Sequence, residues 1–307
     1  MSDNKQEWSG KTGGGNFGQR FLFWALRRVN VVFLYPMLFF AIPFYCLAQR
    51  QSFRYIFYYF HQIHHLSKWT SFWRTLKNFT LFGEVVLDKF AILAGNTRQF
   101  KLVIKNVTEF NQWLDRPEGI IVAGSHVGNF EMIGHCFPQD KKVVNCVIYG
   151  GESEVFKNQR EDAFNEHNLK TISFSNDLSH LFAIKEALER GEIITIACDR
   201  VWGSKKVLKV NFLGQETTFP LGPFMLAAQM NVPIAAVVLL KERRTRYCGL
   251  VSVFHPDDTL QSTKEKSEKL AMQYVHYLEK ILKKCPDQWF NFFDFWGSFE
   301  NTSLQKG

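Results

Sequence analysis

Several residue patterns that define common function classes are absent from this sequence of 307 residues. The six cysteines are scattered, and the closest two, Cys136 and Cys146, are ten residues apart. Without a C-x-x-C pair or zinc-knuckle spacing, neither a dithiol redox site nor a cysteine zinc site is expected. We expect the cysteines to be buried free thiols in a reducing compartment. The sequence also lacks a G-x-S-x-G elbow and any nucleic-acid-binding module, which disfavours a serine hydrolase and a nucleic-acid partner.

Two short patterns that suggest ligand sites lack the context such sites need. Residues 13–18 contain a G-x-G-x-x-G, but no strand precedes it, so no dinucleotide site is predicted. His61, His64 and His65 have the spacing of ligands on one helix face, but no carboxylate lies closer than Glu84. We therefore expect surface histidines, and neither a metal nor a cofactor.

Aromatic residues are abundant, with 31 Phe, 8 Trp and 9 Tyr. Rings in such number occupy a core, a lipid pocket or a membrane interface. The net charge of +8 fits an anionic membrane surface or an anionic substrate as well as it fits nucleic acid. Composition alone does not choose among these partners.

The first hundred residues predict a tail followed by a membrane anchor. Residues 1–18 are polar and glycine-rich, which is typical of a flexible tail. Residues 29–48 carry no charge over twenty positions, enough for a helix that spans a bilayer. Pro36 and Pro43 offer the alternative of a kinked helix that dips into one leaflet, and a buried soluble helix is the third interpretation. The aromatic and basic stretch up to residue 95 predicts helix at a membrane interface, so residues 19–95 form the predicted anchor region.

The remainder, residues 96–300, predicts one α/β domain. Short apolar runs alternate with helical patterns, which is typical of a mixed, mostly parallel central sheet flanked by helices. The predicted strands are 119–124, 142–149, 194–198 and 233–240. The predicted helices are 128–136, 153–167, 221–230 and 262–284.

The segment IIVAGSHVGNFEMIG, residues 120–134, carries the candidate chemistry. A buried strand leads to His126, and Glu131 follows in what we predict to be the first turn of a helix. A carboxylate on one imidazole nitrogen fixes the tautomer and leaves the other nitrogen as a base. Gly128 permits a tight turn, and backbone amides of residues 128–130 are candidates for an oxyanion site. The alternative is a histidine whose hydrogen bonds are simply satisfied at a strand end.

The order of the later segments weighs against that alternative. A strand ends on Asp199-Arg200, an F-P-x-G block follows at residues 219–222, and a hydrophobic strand comes after a short turn with proline. With the H-x4-E block, this order resembles the lysophospholipid acyltransferase superfamily over roughly residues 20–295. Within it, the chain is most similar to the bacterial lipid A late acyltransferases, the lauroyl/myristoyl branch, in a Bacteroidetes-like form.

Two departures from the superfamily pattern bear on the acceptor. Leu221 and Pro223 stand where glycerophosphate-type members carry acidic and hydroxyl residues, which argues against a phosphatidic-acid synthase. The ending PDQWFNFFDFW, residues 286–296, differs from the basic tails of the lipid A enzymes. It resembles the ending of acyltransferase-like proteins in Bacteroidetes-type lipid A and polyene-pigment pathways.

The resemblance implies a direct acyl transfer. His126 would act as general base on an acceptor hydroxyl, Glu131 would orient it, and Asn129 or nearby amides would polarise the thioester carbonyl. The donor would be an acyl-carrier-protein or coenzyme A thioester, used as co-substrate. The substrate-binding residues that the resemblance implies are Arg160, Asp199, Arg200, Lys205 (with Lys206), Phe219, Pro220 and Gly222.

The implied partners are acyl carrier protein, an anionic lipid acceptor and a membrane, with no nucleic acid. The implied location is the bacterial inner membrane, with the catalytic domain on its cytoplasmic face. The alternatives are an acyltransferase of another lipid or polyene-pigment pathway, a thioesterase that uses water as acceptor, and a non-catalytic lipid-binding protein.

Overall fold

The structure, a computed structural model, describes residues 15–130, 132–133, 141–148, 169–174, 179–201 and 206–299. The predicted helix at 153–167 and residues 1–14 of the predicted tail lie outside these ranges. Helix α1 spans Gly15–Arg28, so the last four residues of the predicted tail are helical.

A seven-stranded mixed sheet lies at the centre of the fold, in the order β1-β9-β8-β2-β5-β3-β4. Every neighbouring pair is parallel except β8 with β9. The strands are β1 Lys101–Lys105, β2 Ile120–Gly124, β3 Val144–Ile148, β4 Leu169–Ser173, β5 Ile193–Ala197, β8 Ile234–Arg243 and β9 Arg246–Phe254. The predicted α/β fold with a mixed, mostly parallel sheet is confirmed.

The central strands are apolar because both faces of the sheet are covered. All five residues of β2 are buried, as are the first eight of β8. The flanking helices are α5 Thr108–Leu114, α6 Ser179–Glu189, α7 Gly222–Met230 and α8 Thr263–Lys284. Helix α8 begins after the capping hydroxyl of Ser262, buries Leu270, Tyr274 and Leu278, and ends before Pro286, as its pattern predicts.

The uncharged run of residues 29–48 is not one helix, so the single bilayer-spanning helix predicted there is not supported. The side chain of Asn30 accepts a hydrogen bond from the amide of Val32 and starts a separate 3-10 turn, Val31–Phe33. A new helix, α2, spans Tyr35–Ala48, with Pro36 in its first turn where the missing amide costs nothing. None of the helices that the structure describes has both the length and the apolar character needed to cross a bilayer.

The following helices form part of the folded core. Helix α3, Arg50–Tyr58, continues through a π-helical turn, Tyr59–Ile63, and α4 spans Lys68–Leu93. Helix α4 buries a polar stripe that includes Asn78 and Asp88. It packs against α2 and against the residues that follow α8. A separate antiparallel ribbon, β6 Val207–Phe212 and β7 Gln215–Pro220, leads into α7.

Candidate active site

Two neighbouring parallel strands bring the candidate catalytic residues to one edge of the sheet. Strands β2 and β5 pair in register, so that Gly124 lies opposite Ala197 at their carboxyl ends. The amide of Cys198 donates to the carbonyl of Gly124 at an N···O distance of 2.9 Å. His126 and Asp199 each lie two residues beyond the paired ends. In open α/β sheets this edge is where ligands bind.

His126 and Asp199 are joined by two hydrogen bonds. Imidazole Nδ1 lies 2.8 Å from Asp199 Oδ1, and the backbone amide of His126 donates to Oδ2 at 2.8 Å. The side chain of Asp199 is 1% exposed and that of His126 is 33% exposed. Nδ1 therefore faces the buried carboxylate, while Nε2 has no partner among the described residues.

The carboxylate of Asp199 is ionised at neutral pH. Burial alone would raise its pKa, but the charge and hydrogen bonds of His126, together with the charge of Arg200, outweigh burial and hold the pKa at about 2. An ionised carboxylate only accepts hydrogen bonds, so Nδ1 carries the proton. Nε2 is then the lone-pair nitrogen of the neutral ring, and Asp199 is placed to stabilise the imidazolium that forms when Nε2 takes a proton.

Asp199 therefore occupies the place on the histidine that the sequence predicts for Glu131. Glu131 lies outside the described residues. The sequence assigns Asp199 to substrate binding, whereas in the structure its two oxygens accept hydrogen bonds from His126 and the indole of Trp289. The sequence did contain a signal for this pairing. His126 and Asp199 each follow a predicted buried strand, and parallel neighbouring strands place the residues after them at the same edge of the sheet.

The backbone amides of Gly128 and Asn129, the predicted oxyanion donors, are bonded to carbonyls of the protein. Gly128 has φ 68°, and a Cβ there would lie 1.9 Å from the carbonyl oxygen of Leu239, so the turn requires glycine. Its amide donates to the carbonyl of Gln288 at 2.8 Å, and the amide of Asn129 donates to that of Leu239 at 2.8 Å. Both donors are therefore engaged inside the protein and do not face a substrate.

The side chain of Asn129 also points into the protein. It is fully buried, and its amide nitrogen donates to the hydroxyl of Tyr247 at 3.3 Å. Tyr247 in turn donates to Asp88, which also binds Lys241. The side chain of Asn129 is therefore not exposed at the site, and the predicted polarisation of the thioester carbonyl by Asn129 or nearby amides stays a prediction.

The chain beyond α8 folds over the site, a feature that sequence reasoning missed. We name residues 285–299 the C-terminal strap. The amide of Phe290 donates to the carbonyl of His126 at 2.9 Å, and Trp289 forms an antiparallel bridge with Val127. The indole Nε1–H of Trp289 donates to Asp199 Oδ2 at 3.4 Å. The aromatic ending of the sequence is therefore part of the site.

Arg200 lies between Asp199 and the strap. Its Nη2 donates to the carbonyl of Phe290 at 2.9 Å, and its guanidinium carbon lies 5.0 Å from the ring centre of Phe293. Burial lowers the pKa of Arg200, although the charge of Asp199 opposes that shift. The buried Nε of Arg200 has no partner in the described part of the chain. This cation contributes positive charge directly beside the carboxylate.

The predicted pocket residues of the F-P-x-G block lie mostly in the core. Phe219 is fully buried against Phe212 and Phe295, at ring distances of 5.1 and 5.6 Å, and Pro220 is buried at the end of β7. Neither side chain is exposed, so the predicted role of these residues in shaping the acceptor pocket would act through packing, and it stays a prediction. Gly222 begins α7, and no described atom beyond its chain neighbours and its own helix backbone lies within 4 Å of the place a Cβ would take.

The remaining predicted phosphate-binding residues are Arg160, Lys205 and Lys206. Arg160 and Lys205 lie outside the described residues. Lys206 is exposed just before β6, and its carbonyl accepts from the amide of Leu221 at 3.0 Å. Within the described ranges, no group of three or more His, Cys, Asp or Glu side chains is arranged to hold a metal ion.

Comparison with known protein families gives a match over more than half of the chain. Residues 75–297 match the family described as bacterial lipid A biosynthesis acyltransferase. The matched region begins within α4, contains His126 and Asp199, and ends within the strap. No curated protein matches the sequence. Because the family covers well over half of the chain, the protein belongs to the bacterial lipid A biosynthesis acyltransferases and is an acyltransferase.

Proposed function

We propose that the protein transfers a fatty acyl chain from an acyl-carrier-protein thioester to a hydroxyl of a lipid A precursor. The observation that carries this proposal is the arrangement of His126, whose Nδ1 is held by ionised Asp199 while its Nε2 has no partner in the part of the chain that the structure describes. A neutral imidazole in this state is a general base. The family match supports acyl transfer to a lipid as the reaction.

The proposed reaction is a single displacement. His126 Nε2 removes the proton of the acceptor hydroxyl as its oxygen attacks the thioester carbonyl. The new ester C–O bond forms, the C–S bond breaks, and the departing thiolate takes the proton from the imidazolium. Asp199 stays ionised throughout and stabilises that imidazolium. No covalent bond to the enzyme is formed. Glu131 remains a sequence prediction for a second carboxylate near the base.

Basic residues near the site support an anionic acceptor. Arg200 is held at the catalytic edge, and Arg160 and Lys205 remain predicted phosphate contacts. The net charge of +8 favours the binding of an anionic lipid and of an acidic carrier protein. Coenzyme A as donor, and the Bacteroidetes-like branch as origin, stay predictions from the sequence.

The transfer reaction is tested by offering purified protein a labelled acyl-carrier-protein thioester with separate acceptors. These are a Kdo-containing lipid A precursor, a lysophospholipid, and water alone, with the His126→Ala protein as blank. We expect mass spectrometry to find one added acyl chain on the lipid A precursor. Thioester loss without acylated lipid would establish a thioesterase instead, and acylation of the lysophospholipid alone would contradict the proposed acceptor.

Exposed aromatic side chains on the N-terminal helices support a membrane-surface location. Large apolar residues are exposed along α2 and its preceding turn, and others at the start of α4. They are Phe33, Met37, Phe39, Phe40, Phe44, Leu47, Trp69, Phe72 and Trp73. Basic residues flank them in sequence, namely Arg27, Arg28, Arg50, Arg54 and Lys68. We propose that these residues enter one leaflet of the bacterial inner membrane from its cytoplasmic face.

Replacing Phe40 and Phe44 together by Asp is expected to weaken binding to anionic vesicles by at least about tenfold. The two rings are 70% and 74% exposed, so the fold does not depend on them. Burial of one large apolar side chain is worth about 1.5–3 kcal/mol. Co-sedimentation with phosphatidylglycerol-containing vesicles measures the effect.

The matched control for this variant is Leu181→Asp with Phe182→Asp on α6, where the side chains are 45% and 70% exposed. The control should bind vesicles as the wild type does. Equal weakening in both variants would mean that charge alone is responsible, and unchanged binding in the α2 variant would show that this surface does not face the membrane.

A further inference from the structure

The C-terminal strap brings an indole N–H to the carboxylate that holds the catalytic histidine. We propose that Trp289 is a positioning residue, which fixes Asp199 and through it the imidazole of His126. The inference rests on the proposed role of His126 as general base. It adds a residue from the far end of the chain to the catalytic pair.

The strap is bonded to the catalytic turn by its backbone. The amide of Phe290 donates to the carbonyl of His126 at 2.9 Å, and the amide of Gly128 donates to the carbonyl of Gln288 at 2.8 Å. These bonds lie on either side of the bridge between Val127 and Trp289. The strap thus acts as an added antiparallel strand, and the position of Trp289 is fixed relative to His126.

The indole completes the hydrogen bonding of Asp199. Oδ1 accepts from His126 Nδ1, while Oδ2 accepts from the His126 amide at 2.8 Å and from Trp289 Nε1 at 3.4 Å. A buried carboxylate with donors on both oxygens has one preferred orientation. Since Asp199 Oδ1 faces Nδ1, the plane of the carboxylate determines the direction in which Nε2 points.

Trp289 is itself held rigidly. Its side chain is 2% exposed, and its ring packs against Tyr59, Phe212 and Phe295 at centroid distances of 5.2, 5.8 and 4.9 Å. Close ring contacts on several sides leave one rotamer available. The indole N–H is therefore kept in the direction of Asp199.

Helix α4 anchors the strap. The side-chain amide of Asn78 donates to the carbonyls of both Asp287 and Trp289, at 2.9 Å each. Arg74 and Lys77 bind Asp287 Oδ2 at 2.6 and 2.7 Å. These contacts connect the N-terminal helices to the catalytic pair through residue 289. They also fix the position of the strap.

A second tryptophan in the same aromatic cluster provides a matched control. The ring of Trp296 lies 5.8 Å from that of Trp289 and 6.3 Å from Tyr59. Its Nε1 is buried and has no partner in the described part of the chain. Trp296→Phe therefore makes the same change in ring size within one cluster without removing a hydrogen bond to Asp199.

The test compares Trp289→Phe with Trp296→Phe in steady-state acyl transfer and in ¹⁵N-histidine NMR. Loss of a hydrogen bond to a charged group predicts about a tenfold lower kcat for Trp289→Phe, with KM changed by less than about twofold. The Nδ1 proton resonance of His126, identified by its loss in His126→Ala, should shift in Trp289→Phe. Both quantities should stay at wild-type values in Trp296→Phe.

The NMR measurement reports on the histidine even if the acceptor or the reaction differs from the one proposed, so failure of the function and failure of this inference are distinguishable. An unchanged resonance in folded Trp289→Phe would overturn the inference, as would equal changes in both variants. If Trp289→Phe does not fold, Asn78→Ala is the second variant, because it releases the Trp289 carbonyl from α4. Wild-type kcat and resonance in that variant would also overturn the inference.

Discussion

Asp199→Asn is expected to lower kcat for acyl transfer by about 10³- to 10⁴-fold, close to the complete loss expected for His126→Ala. A change of this order follows when the carboxylate behind a catalytic histidine becomes an amide. KM should change little, because the side chain of Asp199 is 1% exposed and bonds to His126 instead of to a substrate. Steady-state kinetics with acyl-carrier-protein thioester and lipid A precursor measures both constants.

The physical reason is the protonation state of the ring. Asp199 accepts at Nδ1 and so leaves Nε2 without a proton. The amide of an asparagine can donate to Nδ1, which would move the ring proton to Nε2 and block the base. The variant also loses the negative charge that stabilises the imidazolium.

Asp257→Asn is the matched control for this substitution. Asp257 lies on the surface, where it binds Lys269 and Thr259 far along the chain from the catalytic edge. The control should keep wild-type kcat. If Asp199→Asn retained more than about a tenth of kcat, His126 would not depend on this carboxylate and the proposed mechanism would be wrong.

The low pKa of Asp199 adds a pH signature to this prediction. With a folded pKa of about 2 against an ordinary value of 3.8, the carboxylate is ionised above pH 4 in both the folded and the unfolded chain. The stability that its ionisation contributes is present above pH 4 and is lost as pH falls toward 2. The pH profile of wild-type kcat should therefore show no titration of Asp199 between about pH 5 and 9.

Glu131→Gln, measured in the same assay, distinguishes the two carboxylates. The sequence predicts that Glu131 orients His126, whereas the structure places Asp199 on Nδ1. A loss in Glu131→Gln as large as that in Asp199→Asn would show that the base needs both carboxylates. A much smaller loss would leave Asp199 as the partner that sets the tautomer.

Local patterns were sufficient for the four central strands β2, β3, β5 and β8 and for placing His126 just beyond β2, whereas β1, β4, β6, β7 and β9 were not predicted. Continuous apolar runs identify buried strands such as β2 and β8, and the turn after β2 identifies His126. The partner of His126 was not predictable from spacing, because Asp199 lies 73 residues further along the chain. Their contact depends on β2 pairing with β5, which is a property of the sheet order.

The other errors have the same origin in interactions that composition does not record. Residues 29–48 have the length and hydropathy of a membrane helix, but the cap at Asn30 and the proline at position 36 divide the run into a 3-10 turn and α2. The strap was interpreted only as an aromatic ending. It bonds to the turn after β2, and Asn78 of α4 donates to two of its carbonyls from the other side.

The second large effect is expected in stability, at Lys241 in β8. Lys241→Met should lower Tm by about 10 °C, because removing one partner of a buried ion pair costs about 3–5 kcal/mol, and each kcal/mol lowers Tm by about 2–4 °C in a chain of this size. The side chain of Lys241 is 2% exposed and that of Asp88 is fully buried. Thermal unfolding followed by circular dichroism measures the change.

The loss of stability is expected because the buried carboxylate of Asp88 would be left without its cation. Lys241 Nζ binds Asp88 Oδ2 and the hydroxyl of Tyr35, and it lies 3.4 Å from Glu84. Burial raises the pKa of Asp88, and the charge of Lys241 opposes that shift, so the ammonium group favours the ionised carboxylate. Without Lys241, the carboxylates of α4 lose the cation that joins this helix to β8.

Two further variants distinguish a lost ion pair from a general packing defect. Lys283→Met removes a lysine whose side chain is 63% exposed and which binds Glu279, and its Tm should stay within about 2 °C of wild type. Asp88→Asn combined with Lys241→Met leaves no charge at the fully buried position of Asp88, so the double variant should be more stable than the sum of the two single effects predicts, by about 1–3 kcal/mol. Additive effects would show that Lys241 and Asp88 contribute independently, and α4 would then be held to the sheet by packing alone.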